Sequence, residues 1–522
     1  MTFLRNVVFL LAKTGHWFRA LKGWRRFGMA VAAGAFSALG FAPFSFFPAL
    51  LFGFAALVLL LEAAATEPKK LSAAFRVGFW FGFGQFLVGL HWIGYAFLVD
   101  AESHAWQIPF VALLFPGGLA LFIAAAALLA VRFSRPGLSR VLAVSAAYAL
   151  SEWLRGHILT GFPWNIAGYG WGASLAVLQS ASVIGVYGLS LLTVLFGCSL
   201  ALLFASKPRF GLAGAMALVF TFLFVGGAIR LGVTPEQNKP AITIRLVQPD
   251  IPQAEKYQRK YIVRNWRRLL DLSAAPGKPS IIIWPEAAPP FLLNEQPLAL
   301  DQIGRLTEGR LGLMTGGLRR EFLPNDEMQL ANSFFVYGQA GILLDSYDKS
   351  HLVPFGEYLP FEKTLTALGL SKLTGIEGGF IKGAGPRVMA LPGAGNVTAL
   401  ICYEILFPGE VEGAKRPDWF VNVTDDSWFG PWAGPRQHLL VARVRAIEEG
   451  VPVVRDANTG ISAIIDPLGR IRQSLGLGKM GFIDGPLPAP LAPTPYSQSI
   501  DLFFWLVLIA MIALTARLYR AR

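Results

Sequence analysis

Residues 398–408 read TALICYEILFP, in which a short apolar run is followed by a cysteine, a tyrosine and a glutamate. The apolar residues 397–401 predict a buried β-strand that presents Cys402 at its C-terminal end, with Glu404 close behind. A thiol in that position, beside a carboxylate, is a candidate nucleophile of an α/β domain. Most free cysteines are instead small buried apolar residues, and this stretch alone does not decide between the two interpretations.

The composition of the whole chain indicates a membrane protein. Its 522 residues are 54% hydrophobic and only 15% charged, with a mean hydropathy of +0.49. The net charge of +13 would suit a nucleic-acid-binding protein, but the basic residues lie mostly in short loops between apolar runs. That placement indicates membrane topology and argues against a nucleic-acid partner. Two cysteines, Cys198 and Cys402, are too few for a disulfide framework, and six scattered histidines predict neither a metal site nor another cofactor.

Long apolar runs predict a membrane domain over residues 28–230 and one further span at 499–518. Residues 1–27 form a basic leader, which we interpret as cytoplasmic because its apolar core is too short for a cleaved signal peptide. Most of the runs approach the ~20 residues needed to cross a bilayer, although the first and fifth are short. The runs lie near 28–42, 46–64, 77–99, 107–131, 139–154, 176–204, 211–229 and 500–517.

Basic residues in alternate connections predict the orientation of these spans. The second, fourth and sixth connections carry Lys69, Lys70 and Arg76, then Arg132, Arg135 and Arg140, then Lys207 and Arg209. The first connection has no basic residue, and the third carries Asp100 and Glu102. Because basic loops stay in the cytoplasm, both termini are predicted to be cytoplasmic. Residues 230–498 are predicted to lie outside the cytoplasm, on the opposite side of the membrane.

Residues 240–490 have the pattern of a layered α/β domain. Strand-length apolar runs alternate with charged helical stretches at 255–272 and 437–449. The predicted strands are Ile242–Val247, Ser280–Trp284, Leu311–Thr315, Ser333–Val336, Val397–Ile401, Trp419–Val423 and Val451–Val454. The domain has no glycine-rich phosphate loop.

Three residues of this domain follow strand-like runs and carry reactive groups. Glu286 follows IIIWP, Lys349 precedes SHLVPFGEYLP, and Cys402 ends the opening stretch. The order of glutamate, lysine and cysteine in one α/β domain resembles the nitrilase superfamily. That resemblance implies an α-β-β-α sandwich with these three residues as the catalytic triad.

Further motifs resemble one membrane-embedded branch, the apolipoprotein N-acyltransferase family, over nearly the whole chain. The motifs that resemble this branch are EWLRG (152–156), TGFPW (160–164), VQPDIPQ (247–253) and PFGEYLP (354–360). Those that resemble the later strand, helix and closing hairpin of the nitrilase superfamily are DWFVNV (418–423), ARVRAIE (442–448), NTG (458–460) and DPLG (466–469). This resemblance implies a multi-pass protein of the bacterial inner membrane with its catalytic domain on the periplasmic side. One departure is Tyr257, where a tryptophan is expected in many relatives, so we assign it no role.

The resemblance also implies the chemistry. Cys402 would attack the ester of a phospholipid, leaving a thioester and a lysophospholipid, with Glu286 as the base and Lys349 stabilising the thiolate and the oxyanion. The acceptor would be the N-terminal cysteine amine of a diacylglyceryl lipoprotein, and the protein is expected to act as a monomer.

Several other residues are candidates for a supporting or substrate-binding role. Glu357, Tyr403 and Glu404 adjoin the triad in the family motifs, but the two carboxylates could equally brace arginines or backbone N–H groups. Residues 352–382 are apolar and punctuated by glycine, as expected of arms that admit acyl chains and exclude water. The aromatic loop 428–432 suits either the lipid interface or core packing.

Two other functions are compatible with parts of the sequence. A membrane-anchored amidase of the same fold would keep the triad and use water as the acceptor. A transporter with an extracytoplasmic binding domain would need internal repeats and mid-span charges. The sequence has no convincing repeat and its apolar runs contain almost no mid-span charge. An N-acyltransferase is therefore the favoured interpretation.

Overall fold

The computed structural model describes residues 2–322, 328–367 and 379–521, which fall into two units. The first unit comprises Met1–His91, Gln107–Thr234 and Pro495–Arg522, and the second comprises Trp92–Trp106 and Pro235–Thr494. The short segment Trp92–Trp106 includes the end of the apolar run at 77–99, yet it belongs to the second unit.

The regular structure described in the first unit is entirely helical, and the second unit has α-helices as well as strands. In chain order they are α1 (Thr2–Ala20), α2 (Gly23–Ser37), α3 (Phe47–Ala64), α4 (Lys70–Gly89), α5 (Ala101–His104), α6 (Ile108–Arg132), α7 (Leu138–His157), α8 (Leu175–Leu178), α9 (Ala181–Leu200), α10 (Gly211–Val233), α11 (Arg259–Ala274), α12 (Pro297–Thr307), α13 (Glu362–Ala367), α14 (Ala433–Glu449), α15 (Pro495–Ser499) and α16 (Leu502–Arg520). Of these, α5 and α11–α14 belong to the second unit.

Six helical segments of the described residues are long and apolar enough to cross a membrane. They are Phe47–Ala64, Lys70–Gly89, Ala101–Arg132, Ala181–Phe204, Gly211–Val233 and Leu502–Arg520. The two other expected spans form α2, which has 15 residues, and α7, which contains three charged residues. These are the two runs that are short in the sequence, so the total of eight spans stays a prediction.

Small residues bring the membrane helices of the first unit into close contact. A Cβ at Gly34 of α2 would lie 1.9 Å from the carbonyl oxygen of Phe81 in α4, and one at Gly78 would lie 2.6 Å from the Cβ of Ala127 in α6. Glycine is therefore required at these two crossings. Close backbone approach is the usual way in which helices associate in lipid, where apolar burial alone provides no driving force.

The EWLRG motif of α7 stabilises the connection that follows it. The carboxylate of Glu152 accepts hydrogen bonds from the backbone N–H of Ala167 at 2.9 Å and from the Ser190 hydroxyl. The guanidinium of Arg155 donates to the carbonyl oxygens of Phe162 and Trp164. Both charged side chains are buried, and they satisfy backbone groups of Phe162, Trp164 and Ala167 in the connection after α7.

The second unit contains two six-stranded sheets. Its strands are β1 (Asn238–Gln248), β2 (Ile281–Trp284), β3 (Gly312–Phe322), β4 (Met328–Tyr337), β5 (Leu343–Asp348), β6 (Val388–Leu391), β7 (Gly395–Ile401), β8 (Trp419–Thr424), β9 (Val453–Ala457), β10 (Ser462–Ile465), β11 (Ile471–Leu475) and β12 (Gly481–Pro488). The sheet orders are β12-β1-β2-β3-β4-β5 and β11-β10-β9-β8-β7-β6. In each sheet three central strands are parallel and the outer pairs are antiparallel.

The apolar side chains of β2 show how the layers pack. Ile281 and Ile283 enter the core between the two sheets, whereas Ile282 and Trp284 pack against Trp266 and other residues of the outer helices. This alternation is the period-two pattern of a strand that is buried on both faces. Helices α11 and α12 cover the first sheet and α14 packs beside β9 of the second, so the unit is the predicted α-β-β-α sandwich.

Candidate active site

Glu286 lies just after β2 and is held by hydrogen bonds from two sides. Its Oε1 accepts from Asn332 Nδ2 at 2.8 Å and from Lys349 Nζ at 3.4 Å. Its Oε2 accepts from the backbone N–H of Asp425 at 2.8 Å. A Cβ at Gly316 in β3 would lie 2.6 Å from the Cα of Glu286, so glycine is needed there for the approach of the two backbones. The carboxylate is therefore fixed in a buried position.

Lys349 follows β5 and forms ion pairs with two carboxylates. Its Nζ lies 2.9 Å from Glu357 Oε1 and 3.4 Å from Glu286 Oε1. Asn332 of β4 connects the same two carboxylates, since its Nδ2 also donates to Glu357 Oε1 at 3.0 Å. The side chain of Lys349 is 1% exposed, so its ammonium is a desolvated cation shared by two acids.

Cys402 follows β7, where the sequence predicts it, and has a left-handed backbone conformation with φ of 51°. Such a conformation costs a non-glycine residue roughly 1–2 kcal/mol. Its thiol forms a hydrogen bond with Thr424 and interacts electrostatically with Glu286 and Lys349. The structure thus brings the three residues of the expected triad together in one buried site.

The charges in this site determine which groups are ionised. Burial and the charge of Glu286 raise the pKa of the Cys402 thiol well above its usual value, and Lys349 opposes part of that shift. Burial also raises the pKa of Glu286, with Lys349 opposing the shift and Glu357 adding to it. Burial opposes the charge of Lys349, but Glu357 and Glu286 outweigh it and hold the lysine pKa above its usual value. The resting thiol is therefore protonated at neutral pH, and a base is needed to ionise it.

A second buried lysine, Lys256, which the sequence analysis did not identify, contacts the backbone of Glu286. The Nζ of Lys256 donates to Asp425 Oδ2 at 2.7 Å and to the carbonyl oxygen of Glu286 at 3.1 Å. Asn458 Nδ2 donates to the same Asp425 carboxylate. Because the N–H of Asp425 binds Glu286 Oε2, this arrangement orients the carboxylate from the side opposite Lys349.

Glu404 connects the segment around Cys402 to the residues that follow Lys349. Its Oε1 accepts from the Tyr347 hydroxyl at 2.5 Å and from Ser350, whose backbone N–H lies at 2.7 Å and hydroxyl at 2.8 Å. Its Oε1 also accepts from the N–H of His351, and its Oε2 accepts from the N–H of Ile401 at 2.8 Å. With both oxygens engaged in this way, the geometry favours the bracing alternative for Glu404 over substrate binding.

The two remaining supporting candidates also have local partners. Besides Lys349 and Asn332, Glu357 accepts from the backbone N–H of Val353 at 2.8 Å, so it braces the segment after the lysine. Tyr403 is buried, and its ring lies edge-on to Phe407 with centroids 5.2 Å apart. Glu357 therefore contacts the triad through Lys349, whereas Tyr403 adjoins it as the chain neighbour of Cys402.

The apolar segments near the site are described only in part. Of the expected arms at 352–382, residues 368–378 lie outside the described residues, and Phe355 and Phe361 are exposed. In the loop 428–432, Phe429 packs against the core and against Trp92, whereas Trp432 is about half exposed. The loop thus contributes to core packing through one residue and leaves another at the surface.

Several polar residues around the triad could have been found from their positions in the sequence. Thr424, Asp425 and Asp426 follow the predicted strand at 419–423 as directly as Cys402 follows its own. Lys256 and Asn332 carried no such signal, because a lone lysine in a loop and a single asparagine within a strand have many structural roles. Among the described residues, no group of three or more histidine, cysteine or acidic side chains is arranged to hold a metal ion.

Comparison with known families covers both units of the chain. Residues 33–199 match the family described as the apolipoprotein N-acyltransferase N-terminal domain, and residues 243–492 match carbon-nitrogen hydrolase.

Full-length relatives carry the same name. The chain is 43% identical over 492 residues to the apolipoprotein N-acyltransferase of Rhodopseudomonas palustris, covering 91% of this chain and 92% of that protein. It is 43% identical over 496 residues to the enzyme of that name from Bradyrhizobium diazoefficiens, covering 92% of each chain. Among solved structures it is similar to a nitrilase-superfamily amidase from Nesterenkonia AN1, with 18% identity, a TM-score of 0.36, and coverage of 53% of this chain and 99% of the amidase.

Proposed function

The chain belongs to the apolipoprotein N-acyltransferase family, and we propose that it moves an acyl chain from a phospholipid to the N-terminal cysteine amine of a diacylglyceryl lipoprotein. It is an integral membrane acyltransferase with a carbon-nitrogen hydrolase domain. The observation that carries the detailed proposal is the buried cluster in which Glu286 and Lys349 bind each other beside the Cys402 thiol.

In the first half-reaction Glu286 takes the proton of the Cys402 thiol as the thiolate attacks the ester carbonyl of the phospholipid. A base is required because the resting thiol is protonated. The ammonium of Lys349 stabilises the thiolate and the tetrahedral oxyanion, since it is desolvated and keeps its charge. The intermediate collapses to a Cys402 thioester, and Glu286 returns the proton to the departing lysophospholipid alkoxide.

In the second half-reaction the amine of the lipoprotein attacks the thioester. Glu286 now takes a proton from the amine, an amide bond forms, and the thiolate of Cys402 leaves and is reprotonated by Glu286. A water molecule could attack the same thioester, so the enzyme must keep water from the acyl group until the amine arrives.

A label-transfer experiment tests this function. Purified full-length protein is incubated with a phospholipid labelled in its acyl chains, with and without a diacylated lipopeptide. We expect the label on the peptide's N-terminal amine. If label accumulated only as free fatty acid when lipopeptide was present, the protein would be a hydrolase, which is the activity of the membrane-anchored amidase alternative.

We also propose that the protein lies in the bacterial inner membrane with both termini cytoplasmic and the catalytic domain periplasmic. The alternation of basic residues between connections supports this orientation. A reporter that is active only in the cytoplasm, fused after Gly338 in the turn between β4 and β5, should give no signal. The same reporter fused after Arg135, in a connection predicted to be cytoplasmic, should be active. A signal after Gly338 together with none after Arg135 would show that the orientation is the opposite of the proposed one.

The pH at which acyl transfer is lost on the acidic side should depend on the charge of Glu357. Glu286 must be ionised to act as a base, and its raised pKa predicts that the acidic limb of kcat/KM for the donor lies above the usual carboxyl range. Of the groups that face Glu286, Glu357 and Asp425 raise its pKa, whereas Lys349 and Asn332 lower it. Glu357→Gln removes one raising charge, so the limb should move to lower pH.

The control for this pH profile is Glu308→Gln, which changes an exposed carboxylate after α12. Its profile should match that of the wild type. A limb that stayed in place or moved to higher pH in Glu357→Gln would contradict the assignment of Glu286 as the base.

A further inference from the structure

The backbone of Cys402 is held in its unfavourable conformation by two contacts. Its φ of 51° lies in the left-handed region, where a residue with a Cβ remains only if its surroundings fix it. On one side, the N–H of Ile401 donates to Glu404. On the other, the carbonyl oxygen of Cys402 lies 3.2 Å from Nε2 of His438 in α14. The carbonyl accepts this bond, so Nε2 of His438 carries a proton.

His438 is in turn held by two charged residues that are equally buried. Its Nδ1 lies 3.0 Å from Asp426 Oδ1 and 3.1 Å from Arg455 Nη2, and that arginine also donates to Asp426 Oδ2 at 2.7 Å. Burial and Arg455 lower the pKa of His438, although Asp426 opposes the shift. The contact with the Cys402 carbonyl requires a proton on Nε2, whereas Nδ1 lies between the Asp426 carboxylate, which accepts, and the Arg455 guanidinium, which donates.

The same group of residues also reaches the sulfur of Cys402. The hydroxyl of Thr424 donates to Asp426 Oδ1 at 3.0 Å, and Thr424 forms a hydrogen bond with the Cys402 thiol. Asp426 therefore connects the two contacts of the nucleophile, one through His438 to the carbonyl and one through Thr424 to the thiol.

We propose that His438 is a positioning residue for acyl transfer, which holds the carbonyl of Cys402 so that the thiol faces Glu286 and Lys349. This inference rests on the proposed role of Cys402 as the nucleophile. His438 does not touch substrate in this account, and it acts only through the backbone of the cysteine.

A merely structural role for His438 would predict a different set of effects. If the cluster served only the fold, removing His438 would deprive the buried charges of Asp426 and Arg455 of one partner and lower the melting temperature, without a selective effect on the chemical step. A positioning role instead predicts a slower acylation of Cys402 in protein that is still folded. It also predicts recovery when another side chain donates to the same carbonyl.

Two amide substitutions separate these roles. In His438→Gln the side-chain amide reaches about as far as Nε2 of the histidine and can donate to the Cys402 carbonyl, while its oxygen accepts from Arg455. In His438→Asn the amide is one methylene shorter and cannot reach the carbonyl. Both variants keep a polar, hydrogen-bonding side chain in the cluster. Val444→Ala, which removes buried apolar volume from the same helix, is the stability control.

The measurement is the single-turnover rate at which full-length protein in detergent micelles acquires an acyl chain from labelled phospholipid, with the thermal unfolding midpoint recorded for each variant. We expect His438→Asn to load about 100-fold more slowly than wild type, as misplacement of a reacting group would cause. We expect His438→Gln to load within about tenfold of wild type and KM for the donor to change little in either variant. Val444→Ala should unfold at a lower temperature and load at the wild-type rate.

The possible results distinguish this inference from the function on which it rests. If wild type loads but His438→Asn loads equally fast, or if His438→Gln is as slow as His438→Asn, the positioning role is wrong and the thioester mechanism stands. Slow loading by Val444→Ala would also overturn the inference, because the packing of α14 in general would then set the rate. If wild type acquires no acyl chain on Cys402, the proposed function fails and the inference fails with it.

Discussion

Replacing Cys402 with alanine is expected to lower acyl transfer by at least about 10⁴-fold, as the loss of a nucleophile does in other triads. In the proposed mechanism the sulfur of Cys402 is the atom that forms the thioester, and neither Glu286 nor Lys349 can replace it as the acyl carrier. The substitution removes a buried sulfur but no ion pair, so the protein should remain folded. The assay is transfer of label from phospholipid to a diacylated lipopeptide, with thermal unfolding measured in parallel.

Two serine variants complete this test. Cys402→Ser is nearly isosteric, yet it should turn over poorly, because a hydroxyl is far harder to ionise than a thiol and its oxygen ester reacts less readily with an amine. Cys198→Ser changes the only other cysteine, which is buried in the membrane helix α9, and should leave transfer intact. Loss of transfer in Cys198→Ser with retention in Cys402→Ala would reverse the assignment of the nucleophile.

Lys349→Arg should be nearly as damaging as Lys349→Ala, with both lowering turnover by about 10²–10³-fold. The ammonium of Lys349 is almost fully buried and bonds to Glu357 and Glu286 within 3.4 Å. A planar guanidinium keeps the charge, but its wider fork does not fit the space of a compact ammonium. In the alanine variant the pKa of Glu286 should rise further, since Lys349 lowers it more than Asn332 does, and less of the base is then ionised at neutral pH.

Turnover and thermal unfolding of the two lysine variants test this account together. Removing one partner of a buried ion pair destabilises a protein by about 3–5 kcal/mol, so activity must be compared in protein shown to be folded. If folded Lys349→Arg retained near-normal turnover, the lysine would contribute only a diffuse positive field, and its proposed contact with the oxyanion would be wrong.

Most inner strands of the second unit could be predicted from the sequence, and its outer strands could not. Strands β1–β4 and β7–β9 are apolar runs that are largely buried on both faces, and each lies inside a sheet. Five strands were missed. Four of them, β5, β6, β11 and β12, form the ends of the two sheets, and β12 contains two prolines. The fifth, β10 (Ser462–Ile465), lies inside its sheet, but it has only four residues and begins with a serine. An edge strand has polar residues and partly exposed side chains, as Leu343–Asp348 does, so it leaves no continuous apolar run to detect.

Among the candidate site residues, Glu286 and Cys402 could be proposed because they follow buried strands and Lys349 because its motif matches a family pattern, whereas the residues that act through them could not. Glu286, Lys349 and Cys402 stand at strand ends and match a family pattern, and the structure brings them together. Lys256 and His438 have no such pattern, because their importance depends on contacts with residues far away in the sequence. Only the folded structure shows that a histidine of α14 binds the carbonyl of the cysteine at the end of β7.

The most direct test of the account is the intact mass of the protein after incubation with the phospholipid donor alone. A ping-pong mechanism requires that Cys402 be acylated before the lipoprotein acceptor is present. Wild type should gain the mass of one acyl chain, neutral hydroxylamine should remove it, and Cys402→Ala should show no such adduct. An adduct that persisted in Cys402→Ala, or a wild type that gained no acyl chain from donor alone while still transferring label to lipopeptide, would contradict the thioester mechanism.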